Sequence, residues 1–308
     1  MRVMFFGTAA FAVPSLEALS TRHEVVCCVT QPERPQGRGL TKQPSPVKRA
    51  AQQLGLAVEE PDRLALLYQR AVHLAPDVGV VIAFGRLIPS SWLALPRHGM
   101  FGVHPSLLPQ YRGASPIPQA ILNQDSTTGV TIFRLNQDVD AGDIALQREL
   151  LLDERATAEE LSMRLAVVGA ELLLETFTRL EQDRLVLHPQ RHEAATYAPK
   201  WSKADGHVDW RQDAAALNCL VRAAVPWPGA YTTWHGTVLK VWRTDYDDTA
   251  QTPTTPGTVQ QASADGIVVA TGKGLLHIRE LQLAGGRRMT AKEFLAGHQI
   301  HVGDLFGG

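Results

Sequence analysis

Val3-Met4-Phe5-Phe6-Gly7 is a compact apolar run that ends in a glycine, and it predicts a buried parallel strand. Helical periodicity follows over residues 11–19, and a second apolar run covers residues 24–30. A strand, a helix and a strand at this spacing form a βαβ unit, so the sequence predicts a doubly wound α/β domain with a mostly parallel sheet. The first turn holds one glycine, whereas a dinucleotide site needs G-x-G-x-x-G, so NAD or FAD binding is disfavoured.

The overall composition is that of an ordinary globular protein. The chain has 308 residues, 44% hydrophobic and 20% charged, with a formal net charge of −1, so any nucleic-acid contact must come from a local basic patch. Cys27 and Cys28 are adjacent, the total of three cysteines is odd, and no CxxC occurs. This usage argues against a zinc site or disulfides and favours a reducing cytoplasm. No apolar run reaches membrane length, so we expect a cytoplasmic protein without membrane contact.

A histidine stands at the end of a further predicted strand, residues 99–104, and a proline-flanked loop follows it. The stretch reads Phe101-Gly102-Val103-His104-Pro105-Ser106-Leu107-Leu108-Pro109. Ligands of open α/β sheets bind at the carboxyl ends of the strands, where His104 is expected. Downstream, Asp138-Val139-Asp140-Ala141-Gly142-Asp143 can deliver a carboxylate from a later loop. A hydrogen-bonded structural histidine and a solvated aspartate turn would explain the same residues.

The segment 31–49 is of a different kind, because it is rich in basic residues, proline and glycine and has Glu33 as its one acid. Such a composition fits neither a continuous helix nor a core strand, and we expect a long loop without regular structure. Basic side chains on a proline and glycine scaffold suit contacts to a phosphate backbone. A solvated surface loop would have the same composition.

The composition changes near residue 184, and this change suggests the domain organisation. We expect a first domain over residues 1–184, a linker over 185–207 and a second domain over 208–308. The last part contains short apolar runs separated by turn residues, at 230–234, 238–242, 257–260, 266–270 and 275–281. Several short strands with glycine turns predict a small OB-like β-barrel.

Several motifs together resemble the methionyl-tRNA formyltransferase family, in the right order and over essentially the whole chain. The Ser-Leu-Leu-Pro loop and the later Asp-x-Gly-Asp resemble folate-dependent formyltransferases in general, and the basic segment and the C-terminal part resemble the members that act on tRNA. The matching stretches are Gly7-Thr8, Gln31-Pro32, Gly37-Arg38-Gly39, Pro44-Ser45-Pro46, Ala83-Phe84-Gly85, Val103-His104, Ser106-Leu107-Leu108-Pro109, Tyr111-Arg112-Gly113, Gly129-Val130-Thr131-Ile132, Asp140-Ala141-Gly142-Asp143, Val208-Asp209-Trp210 and Pro226-Trp227-Pro228.

The resemblance implies a reaction and roles for its catalytic residues. The α-amino group of methionine on initiator tRNA would attack the formyl carbon of 10-formyltetrahydrofolate, and the resulting oxyanion would need hydrogen-bond donors. His104 would donate to that oxyanion as an imidazolium or move the amine proton. Asp140 would hold His104 or an ordered water and favour the protonated imidazole.

The resemblance also implies binding residues and partners. The folate co-substrate would be lined by Phe84, Gly85, Ser106, Leu107, Leu108 and Pro109. The acceptor end of the tRNA would meet the basic segment, with Arg38 first and Arg34, Lys42 and Lys48 beside it. The C-terminal barrel would add a second RNA surface. Neither a metal nor NAD is expected, and a monomer is the simplest assembly.

One position departs from the family pattern Asn-x-His-x-Ser-Leu-Leu-Pro, because Gly102 stands where the family has the asparagine. Losing one oxyanion donor typically lowers turnover roughly 10²–10³-fold. Three interpretations follow: an altered variant, another donor such as a water in the space left by the side chain, or a protein that binds its substrates and scarcely turns over. If a donor is missing, Gly102→Asn should raise turnover, whereas a fall would indicate a site built around glycine.

Other functions remain open on the sequence alone. A formyltransferase for a small amine would share His104, the Ser-Leu-Leu-Pro loop and Asp140, but it would not need the basic segment or the C-terminal barrel. A non-catalytic tRNA- or folate-binding protein would be consistent with Gly102. A hydrolase that releases formate ranks lowest, because no additional water-activating group stands out.

Overall fold

The computed structural model describes residues 1–36, 41–250 and 254–307, with the backbone alone for residues 34–36 and 41–42. Contacts divide the chain into two units, of which one holds residues 1–116, 127–151 and 162–198, and the other holds 117–126, 152–161 and 199–308. The boundary at 198/199 falls inside the segment expected to be a linker, residues 185–207. The finer domain limits given above stay a prediction.

Residues 1–198 alternate strands and helices. In chain order they are β1 Arg2–Gly7, α1 Val13–Ser20, β2 Glu24–Val29, β3 Arg34–Gln36, β4 Thr41–Gln43, α2 Pro46–Gln53, β5 Val58–Glu59, α3 Tyr68–Leu74, β6 Val78–Ile82, α4 Ser90–Leu93, β7 Met100–His104, β8 Arg112–Gly113, α5 Pro116–Leu122, β9 Thr127–Arg134, β10 Ile144–Leu151, α6 Ala158–Glu181 and β11 Tyr197–Ala198.

A seven-stranded sheet carries this part of the chain, in the order β10-β9-β7-β6-β1-β2-β5. The pairs β1–β2, β1–β6, β2–β5 and β6–β7 are parallel, whereas β9 and β10 are added antiparallel at one edge. The predicted doubly wound, mostly parallel sheet is confirmed. The strand order reverses between β1 and β6, and at such a switch point the loops diverge and leave a crevice for ligands at the carboxyl ends.

The first apolar run of the sequence forms the central part of the hydrophobic core. Val3, Met4, Phe5 and Phe6 are each at most 1% exposed, because β1 lies in the middle of the sheet. Phe6 sets its ring edge-on to two further aromatic rings, those of Phe84 and Trp92, each with centroids 5.6 Å apart. Edge-on packing of this kind adds to the free energy gained from burying the rings.

The basic segment departs from the expected loop without regular structure. Strands β3 and β4 pair antiparallel, with Arg34 opposite Gln43 and Gln36 opposite Thr41. Strand hydrogen bonds need only backbone groups, so a segment with few apolar side chains can form a hairpin that hydrophobic periodicity does not reveal.

Residues 199–307 contain a second, antiparallel sheet, as expected for the small β domain. Its elements are α7 Ala214–Ala223, β12 Ala230–Trp234, β13 Thr237–Asp247, β14 Val259–Ser263, β15 Gly266–Ala270, β16 Leu275–Leu283, β17 Met289–Thr290 and α8 Ala291–Leu295. The strand order is β12-β13-β16-β15-β14, with β17 also paired to β16. Within the described ranges, no helix is both long and apolar enough to cross a membrane.

Candidate active site

His104 is the last residue of β7, and its side chain is buried at the carboxyl edge of the sheet. Its Nε2 lies 2.9 Å from the carbonyl oxygen of Tyr111. A carbonyl oxygen can only accept a hydrogen bond, so Nε2 carries a proton. Tyr111 has a left-handed backbone (φ 57°), and its own N–H donates to Thr196 Oγ1 at 2.8 Å. The loop after β7 therefore turns back to hold the histidine that precedes it.

Asp140 approaches the other nitrogen of the same ring. Its Oδ2 lies 3.6 Å from His104 Nδ1, within ion-pair range but longer than a hydrogen bond, and it accepts a hydrogen bond of 2.8 Å from the N–H of Gly113. Asp140 has a left-handed backbone (φ 51°), and close packing of Gly142 on the carbonyl group of Arg134 leaves no room for a Cβ at 142. The structure thus brings His104 and Asp140 together, and their catalytic roles remain proposals.

Both ring nitrogens of His104 face oxygen acceptors, the Tyr111 carbonyl and the Asp140 carboxylate. Only a doubly protonated imidazolium can donate a proton toward both. A substrate oxyanion that takes a proton or a hydrogen bond from His104 must replace one of these two acceptors. The hydrogen bond to Tyr111 shows that Nε2 can act as a donor.

Gln190 holds the backbone of the Asp140 loop. Its Nε2 donates to the carbonyl oxygens of Asp140 at 2.9 Å and Gly142 at 2.7 Å. Its Oε1 accepts from Nε of Arg112 at 3.1 Å and from Nη2 at 2.7 Å, and both Gln190 and Arg112 are buried. Sequence reasoning placed Gln190 in a linker and missed it. The only signal was Arg112 in a proposed motif, since a buried arginine needs a partner.

We expect Gln190→Leu to lower kcat about tenfold to a hundredfold, because the Asp140 loop loses both hydrogen bonds from Gln190 Nε2 and small displacements at a reacting centre are costly. Gln190→Glu distinguishes a role in holding the Asp140 loop from a role as the acceptor for Arg112. A carboxylate still accepts from Arg112 but cannot donate to the two carbonyls. Steady-state kinetics should therefore show a similar fall in kcat for both variants. A normal kcat in Gln190→Glu would reduce the residue to a partner of Arg112. Gln182→Leu, an exposed position, serves as the control.

Gly102 lies directly opposite Phe133 of β9. A Cβ built on Gly102 would stand 2.5 Å from Phe133 Cε1, 2.7 Å from its Cζ and 3.1 Å from Leu135 Cδ1. The Phe133 ring fills the volume of the absent side chain. The interpretation that a water acts as the second oxyanion donor stays a prediction.

The predicted folate residues fall into two groups, and the first follows β6. Phe84 is 2% exposed and belongs to the core, and its carbonyl oxygen accepts from Thr8 Oγ1 at 3.0 Å and Gln31 Nε2 at 2.7 Å. Gly85 is exposed with a left-handed backbone (φ 76°), and Leu87, two residues on, is 80% exposed. Gly85 and Leu87 thus offer exposed surface at this turn, and folate contact by Phe84 and Gly85 stays a prediction.

The second group forms the loop after His104. Ser106 is 1% exposed and its Oγ donates to the carbonyl oxygen of Gln110 at 2.6 Å. Leu108 is buried, and its backbone bonds to Thr131 Oγ1 at 3.0 Å and to Gln147 Nε2 at 2.8 Å. Leu107 and Pro109 are partly exposed. Ser106 and Leu108 thus fix the loop, and folate contact by this group stays a prediction.

The predicted tRNA residues are only partly described. Arg38 lies outside the described residues, and only the backbones of Arg34 and Lys42 are described. Lys48 Nζ lies 2.8 Å from Glu33 Oε1 and 2.6 Å from Glu60 Oε2. Hydrogen bonds to Glu33 and then Glu60 raise the pKa of Lys48 above its ordinary value. In this conformation Lys48 anchors the base of the hairpin rather than offering an unpaired charge, and phosphate contact by it stays a prediction.

The residues described here contain no group of three or more histidine, cysteine, aspartate or glutamate side chains that could hold a metal ion.

Comparisons with known families identify the class of protein. Residues 1–177 match the family profile described as Formyl transferase, and residues 200–299 match the one described as Formyl transferase, C-terminal domain. The mixed sheet in residues 1–198 and the antiparallel sheet that follows it are thus the two parts of a formyltransferase.

Full-length relatives narrow the class. The methionyl-tRNA formyltransferase of Acetivibrio thermocellus is 41% identical, and that of Methylobacillus flagellatus is 43% identical, each over 100% of both chains. The chain belongs to the methionyl-tRNA formyltransferase family.

A solved structure supports the fold. HypX from Aquifex aeolicus, in complex with tetrahydrofolic acid, superposes with a TM-score of 0.67 at 18% identity, over 98% of this chain and 50% of HypX. This chain therefore spans about half the length of HypX.

Proposed function

We propose that this protein transfers the formyl group of 10-formyltetrahydrofolate to the α-amino group of methionine on initiator tRNA. The observation that carries the proposal is the pairing of the buried His104 with the partly exposed Asp140 at the carboxyl edge of β7, in a chain whose full-length relatives are named methionyl-tRNA formyltransferase. His104 donates to the oxyanion that forms when the amine attacks the formyl carbon, and Asp140 stabilises the charged ring.

The folate, a substrate that supplies the formyl group, fits the surface beside His104. Strands β6 and β7 are neighbours, so the turn after β6 and His104 lie at the same edge of the sheet. Ala83 and Gly85 of that turn are exposed, both with left-handed backbones (φ 44° and 76°), and Leu87 exposes 80% of its surface. Exposed amides and an apolar side chain suit a flat, polar-edged ring.

Formylation of charged initiator methionyl-tRNA by the purified protein tests the proposal. The expected result is transfer of label from 10-formyltetrahydrofolate to the aminoacyl-tRNA. When the aminoacyl-tRNA is left out, no formate should be released. Label that appears only as formate would identify a hydrolase. Label that passes only to small amines would identify a different formyltransferase and overturn the proposed substrate.

Arg38→Ala should raise the KM for charged tRNA about tenfold and leave the KM for the folate within about twofold, because a phosphate contact carries no folate affinity. The slope of log K for tRNA binding against log salt concentration should also become shallower by about one, as expected for the loss of one phosphate contact. Arg164→Ala, an equal charge change at an exposed position of α6, is the control. An equal rise in both KM values would assign Arg38 a structural role.

We also propose that residues 208–308 supply a second RNA surface. Two cations lie over one partly exposed ring there, since Lys240 Nζ is 5.3 Å and the Arg288 guanidinium carbon 5.4 Å from the centroid of Trp242. Cationic groups beside an aromatic ring suit a nucleic-acid backbone and its bases.

A monomeric, cytoplasmic protein is part of the same proposal. The free, buried thiols of Cys27, Cys28 and Cys219 are in keeping with a reducing compartment. Sedimentation of the purified protein tests the oligomeric state.

A further inference from the structure

Phe133 connects the two residues of β7 that face the candidate site. Residues two apart on a strand point to the same face of a sheet, so Gly102 and His104 share a face. The Phe133 ring occupies the volume beside Gly102 and lies edge-on to the His104 ring, with centroids 6.5 Å apart and planes at 89°. Phe133 and His104 are each 5% exposed, so this contact is almost entirely removed from solvent.

We propose that Phe133 is a positioning residue for His104, and that Gly102 provides the room for its ring. This inference rests on the proposed function, because that function assigns His104 to formyl transfer. Tyr111 holds Nε2 of the imidazole by a hydrogen bond, whereas Asp140 approaches Nδ1 only to 3.6 Å, so these two contacts leave the ring able to tilt about the Nε2 bond. The edge-on ring of Phe133 limits the tilt.

A side chain at 102 and an aromatic ring at 133 exclude each other. A Cβ at 102 would approach Phe133 Cε1 to 2.5 Å, so the ring has to move if Gly102 is replaced while Phe133 remains. Because the ring also contacts His104, moving it disturbs the imidazole. In this chain, therefore, Gly102→Asn lowers turnover rather than restoring a donor.

The apolar ring also changes the surroundings of the His104–Asp140 pair. With glycine at 102 and phenylalanine at 133, His104 is the one polar side chain among these three neighbours. Apolar surroundings strengthen the interaction between charges by keeping water away from them. With Gly102 and Phe133, His104 lacks the polar asparagine that the family pattern has at 102. In its place, His104 has an apolar ring that fixes its orientation and shields it from water.

The test uses the full-length protein in four forms: unchanged, Gly102→Asn, Phe133→Leu and the double variant. The double variant moves bulk from position 133 to position 102. We expect each single variant to lower kcat about tenfold with the KM for the folate within about twofold, and the double variant to return to within about threefold of the unchanged protein. If the fold-loss of kcat in the double variant equals the product of the two single fold-losses, the proposal that a side chain at 102 and an aromatic ring at 133 exclude each other is overturned.

Phe101→Leu is the matched control, because Phe101 is a phenylalanine of β7 next to Gly102, is 1% exposed and packs its ring on Phe177 with centroids 6.1 Å apart. Both leucine variants should lower the melting temperature, but only Phe133→Leu should change kcat and its pH profile. An unaltered kcat and pH profile in Phe133→Leu would refute the positioning role. If Phe133→Leu does not fold, Phe133→Met keeps the bulk without the aromatic edge and takes the same readouts.

Ring signals of His104 in ¹H–¹³C NMR give a readout that does not depend on activity. We expect them to broaden in Phe133→Leu and to stay sharp in Phe101→Leu. If the unchanged protein fails to formylate methionyl-tRNA, the proposed function fails, while the NMR result still decides whether Phe133 holds His104. Sharp His104 signals in both variants would contradict the inference.

Discussion

His104→Ala is expected to lower the turnover of formyl transfer roughly 10²–10⁴-fold, the range typical for the loss of a positioned acid or base. The imidazole is the group at the end of β7 whose two nitrogens both face acceptors, so nothing in its immediate contacts, a carbonyl oxygen and a carboxylate, can replace it as a donor. Affinity for the folate should change less than about twofold, since the ring acts on the reacting centre. Single-turnover kinetics and folate titration measure the two effects separately.

His98→Ala provides the control for this experiment, because it removes a partly buried histidine just before the other end of β7. It should leave turnover close to that of the unchanged protein. Normal turnover in His104→Ala would remove this histidine from the mechanism. A large loss of folate affinity would instead mean that it binds the co-substrate.

Asp140→Asn should lower turnover about a hundredfold, because it deletes the negative charge 3.6 Å from His104 Nδ1 that stabilises the imidazolium. The replacement is nearly isosteric, and its side-chain oxygen can still accept from the N–H of Gly113. The loop geometry therefore survives while the charge does not. We expect the fall in kcat, with an unchanged KM for the folate, in steady-state kinetics over a range of pH.

Asp138→Asn is the matched control, two residues away on the same loop and exposed to solvent. It loses the same charge without contact to the ring and should retain normal turnover. Equal losses in Asp138→Asn and Asp140→Asn would point to the overall charge of the loop. Undiminished turnover in Asp140→Asn would mean that the carboxylate only accepts the hydrogen bond from Gly113 and has no catalytic role.

Much of the fold follows from local patterns, because buried parallel strands read as apolar runs. The apolar runs predict that β1 ends at Gly7 and β7 at His104, and the structure has them there. The β3–β4 hairpin does not follow from such a pattern, since backbone hydrogen bonds hold it and the side chains carry little signal.

The site divides in a similar way. His104 and Asp140 can be placed from sequence, because a strand end and an aspartate-glycine loop are both local signals. Gln190 cannot, since it acts through main-chain carbonyls 48 and 50 residues away. Phe133 cannot be identified from the sequence either. Its proximity to Gly102 depends on the register between β7 and β9, which no local pattern specifies.

The Gln190 contacts also limit where this chain can be recombined. A fragment cut at residue 184 keeps every strand of the seven-stranded sheet but lacks Gln190, Thr196 and strand β11. The carbonyls of Asp140 and Gly142 then lose their donor, and Arg112 loses its acceptor. A chimera joined after residue 198 keeps Gln190, Thr196 and β11 with the residues that they contact, whereas a junction at the change in composition near residue 184 separates them.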